Sequence, residues 1–207
     1  MTDAPPAAPT RHRTEAELHA HLPELLAAPT DVGTVELVVR RPAIGEREVL
    51  EVGELDPAVG LVGDTWSQRS SKRTADGSPH PDMQLNVMGA RIVGLVAADP
   101  QRRALAGDQL YLDLDLSHAN LPAGTRLLFG DDPEAPASVI EVTEQPHTGC
   151  AKFVERFGAD AMRFVNGEVG RPLRLRGLNA RVVQAGPVRA GDRVTVRRPA
   201  DEPGAGG

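Results

Sequence analysis

The stretch QLYLDLDLS, residues 109–117, puts Leu110, Leu112, Leu114 and Leu116 on one side of an extended chain and Tyr111, Asp113 and Asp115 on the other. That period of two marks a strand with one buried face, because successive side chains point to opposite sides of a sheet. The pattern recurs. GTVELVVRR (33–41) alternates Val35, Leu37 and Val39, and REVLEVGEL (47–55) sets Val49 and Glu51 against Leu50 and Val52. GTRLLFG, ASVIEVTE, PLRLRG, ARVVQAG and DRVTVRRP continue the series to residue 199. The chain's 21 glycines and 18 prolines punctuate these runs, as turns require. Many short strands so divided predict a mainly β (α+β) chain, a barrel or sandwich with a few peripheral helices, rather than alternating βαβ units. Aromatic residues make up only 3% of the sequence, so its core must be built from Val, Leu, Ile and Ala.

Three helical segments interrupt or precede the strands. Thr14 and Glu17 have the spacing of a capping box, and Leu18, Leu22, Leu25 and Leu26 share a helical face that Pro23 interrupts. NVMGARIVGLVAADP predicts a helix over 87–98, stopped near Pro100. Another begins after Cys150, with Phe153 and Phe157 at helical spacing, a break at Gly158 and Asp160 as cap of a second piece. The plan is a flexible arm with an amphipathic helix over 1–30, one domain over 31–198 and a flexible tail over 199–207. The arm packs either on the domain or on a partner subunit, as a homodimer would allow. A chain of 207 residues is long enough for one domain with a proper core.

The formal net charge is −6, which argues against a nucleic-acid binder, since neutralising phosphates needs a basic face. A single cysteine forms no internal disulfide and suits a reducing compartment. The first residues lack the apolar core of a signal peptide, and no apolar run approaches a membrane span. These features predict a cytoplasmic protein whose partner is a small molecule.

That one cysteine stands in EQPHTGCAKF, between the end of a strand and the start of a helix. A thiol reacts, or ligates a soft metal, as the thiolate, and so needs positive potential nearby. The helix start offers unbonded N–H groups and the positive end of its dipole. His147 lies three residues before Cys150 and Lys152 two after. Gly149 lets the backbone approach a ligand closely, and Pro146 fixes the exit from the strand. His147, Cys150 and Lys152 are therefore the candidate catalytic group, with Cys150 also the candidate metal ligand. The alternative is a buried, structural thiol.

Several segments together resemble the MOSC domain, named for the C-terminal domain of molybdenum cofactor sulfurases. The strand–Pro–Cys–helix order around Cys150 resembles the family's cysteine motif. Asn120 and Leu121 precede a hairpin with Gly124, Leu127 and Gly130; Gly177, Ala180, Arg181, Gly186, Gly191 and Asp192 match the closing segment of small stand-alone members; Gly60, Gly63 and Asp64 match an early Gly-Leu-x-Gly-Asp element. The resemblance covers about residues 32–198. It implies a β-barrel, molybdenum cofactor (molybdopterin) as the bound group, and Cys150 as a persulfide sulfur carrier or as the thiolate on molybdenum. It also implies reduction of N-hydroxylated compounds with electrons from external electron-transfer proteins. Two departures stand out: Trp66 occupies a place where many relatives have His, and Gly149, not Pro, directly precedes the cysteine. The other readings are a non-catalytic module for small anions and a fold recruited to other biosynthetic chemistry.

Further pocket candidates follow. SQRSSKR places Arg69, Lys72 and Arg73 in one loop, either as an anion clamp for a phosphate such as that of a pterin cofactor or as a solvated surface. Gln84, Asn86, His118, Asn120 and Arg181 are candidates to bind a pterin or purine edge, or else turn and capping residues. The segment from Trp66 to Asp82 is long enough to act as a lid. No His and Asp cluster has metal-ligand spacing, so neither a zinc nor an iron site is expected.

Overall fold

A computed structural model describes residues 11–201 of the chain. Helices α1 (Glu15–Ala20) and α2 (Leu22–Leu26) come first, followed by β1 (Val32–Arg40), β2 (Glu48–Leu50), β3 (Val52–Asp56) and β4 (Gly60–Leu61). Next are β5 (Leu85–Gly89), α3 (Ala90–Ala97), β6 (Leu110–Asp113), β7 (Arg126–Phe129) and β8 (Ser138–Val142). The chain ends with α4 (Ala151–Asn166), β9 (Leu178–Gln184), β10 (Gly186–Arg189) and β11 (Arg193–Arg197). Strands run in the order β11-β7-β8-β9-β5-β6-β1, and β1 pairs back onto β11, closing a seven-stranded barrel. β5 and β6 run parallel and the other neighbours antiparallel. Closure leaves no free edge on the barrel wall. β2 lies along the end of β1, while β10, β3 and β4 form a small separate sheet.

Alternation decides the packing. Leu110, Leu112, Leu114 and Leu116 all enter the barrel interior with Val35, Leu127, Ile140 and Val194. Tyr111, on the opposite face, is also fully buried, in a second cluster where Met88, Ile92, Phe153, Phe157 and Leu18 pack helices onto the outside of β5 and β6. Burying a side chain of this size contributes roughly 1.5–3 kcal/mol.

The structure corrects three expectations. The segment over 87–98 is a strand through Gly89 and a helix only from Ala90, because Leu85, Asn86 and Val87 pair with β9 while Val87, Met88 and Gly89 pair with β6. PLRLRG forms turns, with Arg174 at φ 47° and both its arginines drawn inward to buried acceptors. REVLEVGEL divides at Glu51 into strands of two different sheets.

The arm is docked. The capping box at Thr14 and Glu17 is formed, α1 ends at Ala20 and α2 begins at Leu22 with Pro23 in its first turn, and Leu18 is sealed in the outer core. Asp160 does not cap its own helix; its Oδ2 accepts the Glu15 N–H at 3.1 Å, tying α4 to the start of α1. α4 is kinked at Gly158 (φ 89°), where the His12 ring takes the space a Cβ would need. The residues expected to be flexible before Arg11 and after Asp201 lie outside the described residues. Among the described residues, no helix is long and apolar enough to cross a membrane.

Candidate functional site

The segment from Thr143 to Cys150 links β8 to α4. Thr143 Oγ1 donates to Asp82 O at 2.7 Å, fastening it to the end of the long 65–84 segment. The Gly149 N–H donates to Asn166 Oδ1 at 3.1 Å. Cys150 then adopts extended backbone as the N-cap of α4, and its side chain is exposed and makes no capping bond. Its carbonyl receives the N–H groups of Phe153 and Val154. The sulfur is thus free to meet a ligand or another protein.

Beneath the same loop lies a buried charge cluster. His147 Nε2 is 2.7 Å from Asp108 Oδ1, and Arg176 Nη1 donates to Asp108 Oδ2 at 2.8 Å. Asp108 is fully buried and the His147 side chain 13% exposed. Burial opposes ionisation of Asp108, but the charge of Arg176 and the His147 hydrogen bond outweigh it and hold the carboxyl below its usual range. Burial, reinforced by Arg176, lowers the His147 pKa against the pull of Asp108. An ionised Asp108 only accepts, so Nε2 of neutral His147 carries the proton and Nδ1 is left as an acceptor. Arg176 also donates to Ala106 O and lies 5.0 Å over the Phe153 ring, so the first turn of α4 is braced by this cluster.

His147 forms part of the wall of a cleft of about 380 Å³, with His118, Glu144, Asn166, Arg171 and Arg174 around it. Arg174 donates to Leu121 O at 2.6 Å, and burial lowers its pKa; among the described residues no carboxylate pairs with it. Burial and then Arg174 lower the His118 pKa. In a chain of net charge −6 this cleft carries an excess of cationic groups, which favours an anionic occupant. Cys150 flanks the cleft through Thr148 and Asn166 and does not line it.

A second, smaller cavity of about 140 Å³ lies under the 65–84 segment, against Arg41, Trp66, Arg69 and Asn86. Buried polar groups run between the two cavities. Arg41 Nη2 meets Asp64 Oδ1 at 2.7 Å with both side chains buried, and Arg41 Nη1 donates to Asn86 Oδ1 and to the carbonyl of Gly107, the neighbour of Asp108. Asn86 Nδ2 donates to Asn179 Oδ1 at 2.7 Å, and Asn179 Nδ2 to Gln145 O at 3.1 Å. A hydrogen-bonded chain therefore joins one cavity to the rim of the other. Burial opposes the Asp64 charge, and Arg41 with two backbone N–H groups overcomes it, so this carboxyl is also held low.

Of the residues singled out in the sequence, His147 and His118 meet at the cleft, and Arg69 and Asn86 at the smaller cavity. Arg73 reaches Gln145 Oε1 at 2.7 Å, bridging the loop to the cleft rim. Lys72 and Lys152 are exposed and line neither cavity. Gln84 is buried and bonds the Val182 N–H and Pro57 O. Asn120 is buried on Thr30 O and Asp115 O, and Arg181 pairs with Glu141 at 2.7 Å; none of these three lines either cavity. Asp108, Arg174, Arg176 and Arg41 did not stand out in the sequence. The Arg-x-Arg of PLRLRG was the available signal, hidden by its strand-like alternation. Among the described residues no group of three or more His, Cys, Asp or Glu side chains is placed to hold a metal ion.

Two solved structures share this architecture. The YuaD protein from Bacillus subtilis superposes with a TM-score of 0.59 over 80% of this chain and 95% of its own, at 15% identity. A hypothetical protein superposes with a TM-score of 0.51 over 80% of this chain and 67% of its own, at 18% identity. The fold is MOSC-like. At these identities the likeness concerns the MOSC-like barrel alone. No family model matches the sequence, and no curated protein matches it significantly.

Proposed function

We propose that the chain binds a molybdenum cofactor in the cleft of the MOSC-like barrel, with the Cys150 thiolate as protein ligand to the metal. The observation that carries this reading is the exposed Cys150 at the start of α4 beside a cleft in which Arg171, Arg174, His118 and His147 converge. The donor set fits the group. A thiolate is a soft ligand suited to a sulfur-rich metal centre, one protein ligand suffices for a metal that arrives with its own sulfur ligands, and the cationic wall suits a phosphorylated pterin. A volume of about 380 Å³ lies in the range of small-molecule sites. When bound, the cofactor supplies two-electron redox chemistry. The chain's own part is to hold the anion at Arg171 and Arg174, to present the thiolate at the N-terminus of α4, and to keep His147 neutral with a proton acceptor at Nδ1. Reduction of N-hydroxylated compounds then requires electrons from an external electron-transfer protein.

Protein purified from a cofactor-producing host tests this by elemental analysis. Molybdenum near one per chain, lost in Cys150→Ser and reduced in Arg174→Ala, is the expected result. Protein free of molybdenum from such a host overturns it.

A second reading rests on Cys150 being exposed outside the cleft, within reach of another protein. Here the thiolate attacks the outer sulfur of a donor persulfide. The donor's S–S bond breaks, the donor leaves as a thiolate, and Cys150 carries the persulfide with no net oxidation. A mass increase of one sulfur atom on Cys150, without metal, distinguishes this outcome. With neither signal the chain is a small-anion module and the thiol is structural.

A further inference from the structure

The smaller cavity differs from the cleft in that it is walled by donors and cations and by no carboxylate. Arg69, exposed above it, has one protein acceptor among the described residues, Thr65 Oγ1 at 3.2 Å. Arg47, nearby, bonds among the described residues only the carbonyl of Glu46, and its Nε is buried there without an acceptor. The carboxylate that acts on both arginines is Asp64, and Asp64 is already engaged at both oxygens by Arg41. Both guanidiniums are accordingly held below the ordinary arginine range, first by desolvation and then by neighbouring cations, Arg156 and Arg41 on Arg47 and Arg41 on Arg69. An anion seated among these arginines offsets their mutual repulsion and supplies acceptors that the protein does not. Neutral donors complement them. The Trp66 indole N–H and the Ser70 hydroxyl have no protein acceptor among the described residues. His80 Nδ1 accepts the Asp82 N–H, so its Nε2 carries the ring proton of the neutral form.

We propose that this cavity is a phosphoryl-binding site, in which Arg69, Trp66, Ser70 and His80 donate to a phosphate group and Arg47 and Arg41 supply the field. A tetrahedral oxyanion accepts from several directions at once, which matches donors arriving from the 65–71 turn and from His80. Its volume of about 140 Å³ accommodates a phosphate group. The phosphate is free inorganic phosphate or the end of a phosphomonoester whose body lies outside the cavity. The site contains neither Cys150 nor His147, so its failure and the loss of molybdenum are separate results.

Calorimetric titration of the full chain at fixed ionic strength tests the proposal, with inorganic phosphate and with flavin mononucleotide as a flat heterocyclic phosphomonoester. Saturable phosphate binding is expected, weakened about tenfold in Arg69→Ala and unchanged in Lys72→Ala, whose parent side chain is equally cationic but lines neither cavity. Ser70→Ala, which removes a donor and no charge, is expected to weaken binding severalfold and guards against a folding defect in the arginine variant. Tighter binding of the flavin ester, still dependent on Arg69, identifies an organic phosphomonoester; equal or weaker binding identifies the free anion. Absence of saturable phosphate binding by the wild-type chain overturns the proposal. Equal losses in Arg69→Ala and Lys72→Ala also overturn it, since they indicate diffuse attraction.

Discussion

His147 and Asp108, 39 positions apart in sequence, meet at 2.7 Å between Nε2 and Oδ1, with the carboxylate wholly removed from solvent and countered by Arg176. The pair fixes the imidazole's orientation and tautomer and ties the loop before Cys150 to the barrel. Its removal has consequences that can be measured.

Replacing Asp108 with Asn keeps the shape and leaves the Arg176 guanidinium buried without a counter-charge. Breaking one half of a buried pair costs about 3–5 kcal/mol. Urea unfolding of Asp108→Asn should show a loss near the lower figure, because Arg176 retains Ala106 O and the Phe153 face. A loss below about 1 kcal/mol would mean that the pair is not closed in solution.

Acid should weaken the fold in two steps. The folded His147 pKa lies below its ordinary 6.5, so the unfolded chain binds the proton first and stability falls as pH drops from about 6.5 toward the lowered value. Asp64 and Asp108 are held below their ordinary 3.8. Their contribution is complete above that pH and is lost as pH falls through their folded values. Melting temperatures against pH should show the upper step in the wild type and a much smaller one in His147→Gln, with the lower step retained.

Cys150 should react with an aromatic disulfide reagent in the folded protein, because its side chain is exposed. The expected result is one thiol per chain titrated without denaturant, at a rate within about tenfold of the unfolded chain. Reaction only after unfolding would remove the basis of both functional readings.

Gly158→Ala should loosen the arm. Its φ of 89° disfavours any side chain, and a Cβ there would fall 2.7 Å from His12 Nδ1. A cost of about 1–2 kcal/mol and faster proteolysis ahead of α1 are expected. Unchanged protection of the arm would show that His12 does not seat in the kink.

Local pattern determined the class of fold. The alternation of Leu110, Leu112, Leu114 and Leu116, the capping box at Thr14, the helix break just ahead of Pro23 and the placing of Cys150 at a helix start all depend on near neighbours, and all are present in the structure. Tertiary structure decided the rest. Val87 lies in a strand because β6 and β9 flank it on both sides, and pairing outweighs a helical period that continues past it. Arg174 and Arg176 turn inward because barrel closure brings them to Leu121 O and Asp108. Periodicity reports which face is apolar; which charges come to share a buried site depends on closure of the sheet, and that is a property of contacts far apart in the chain.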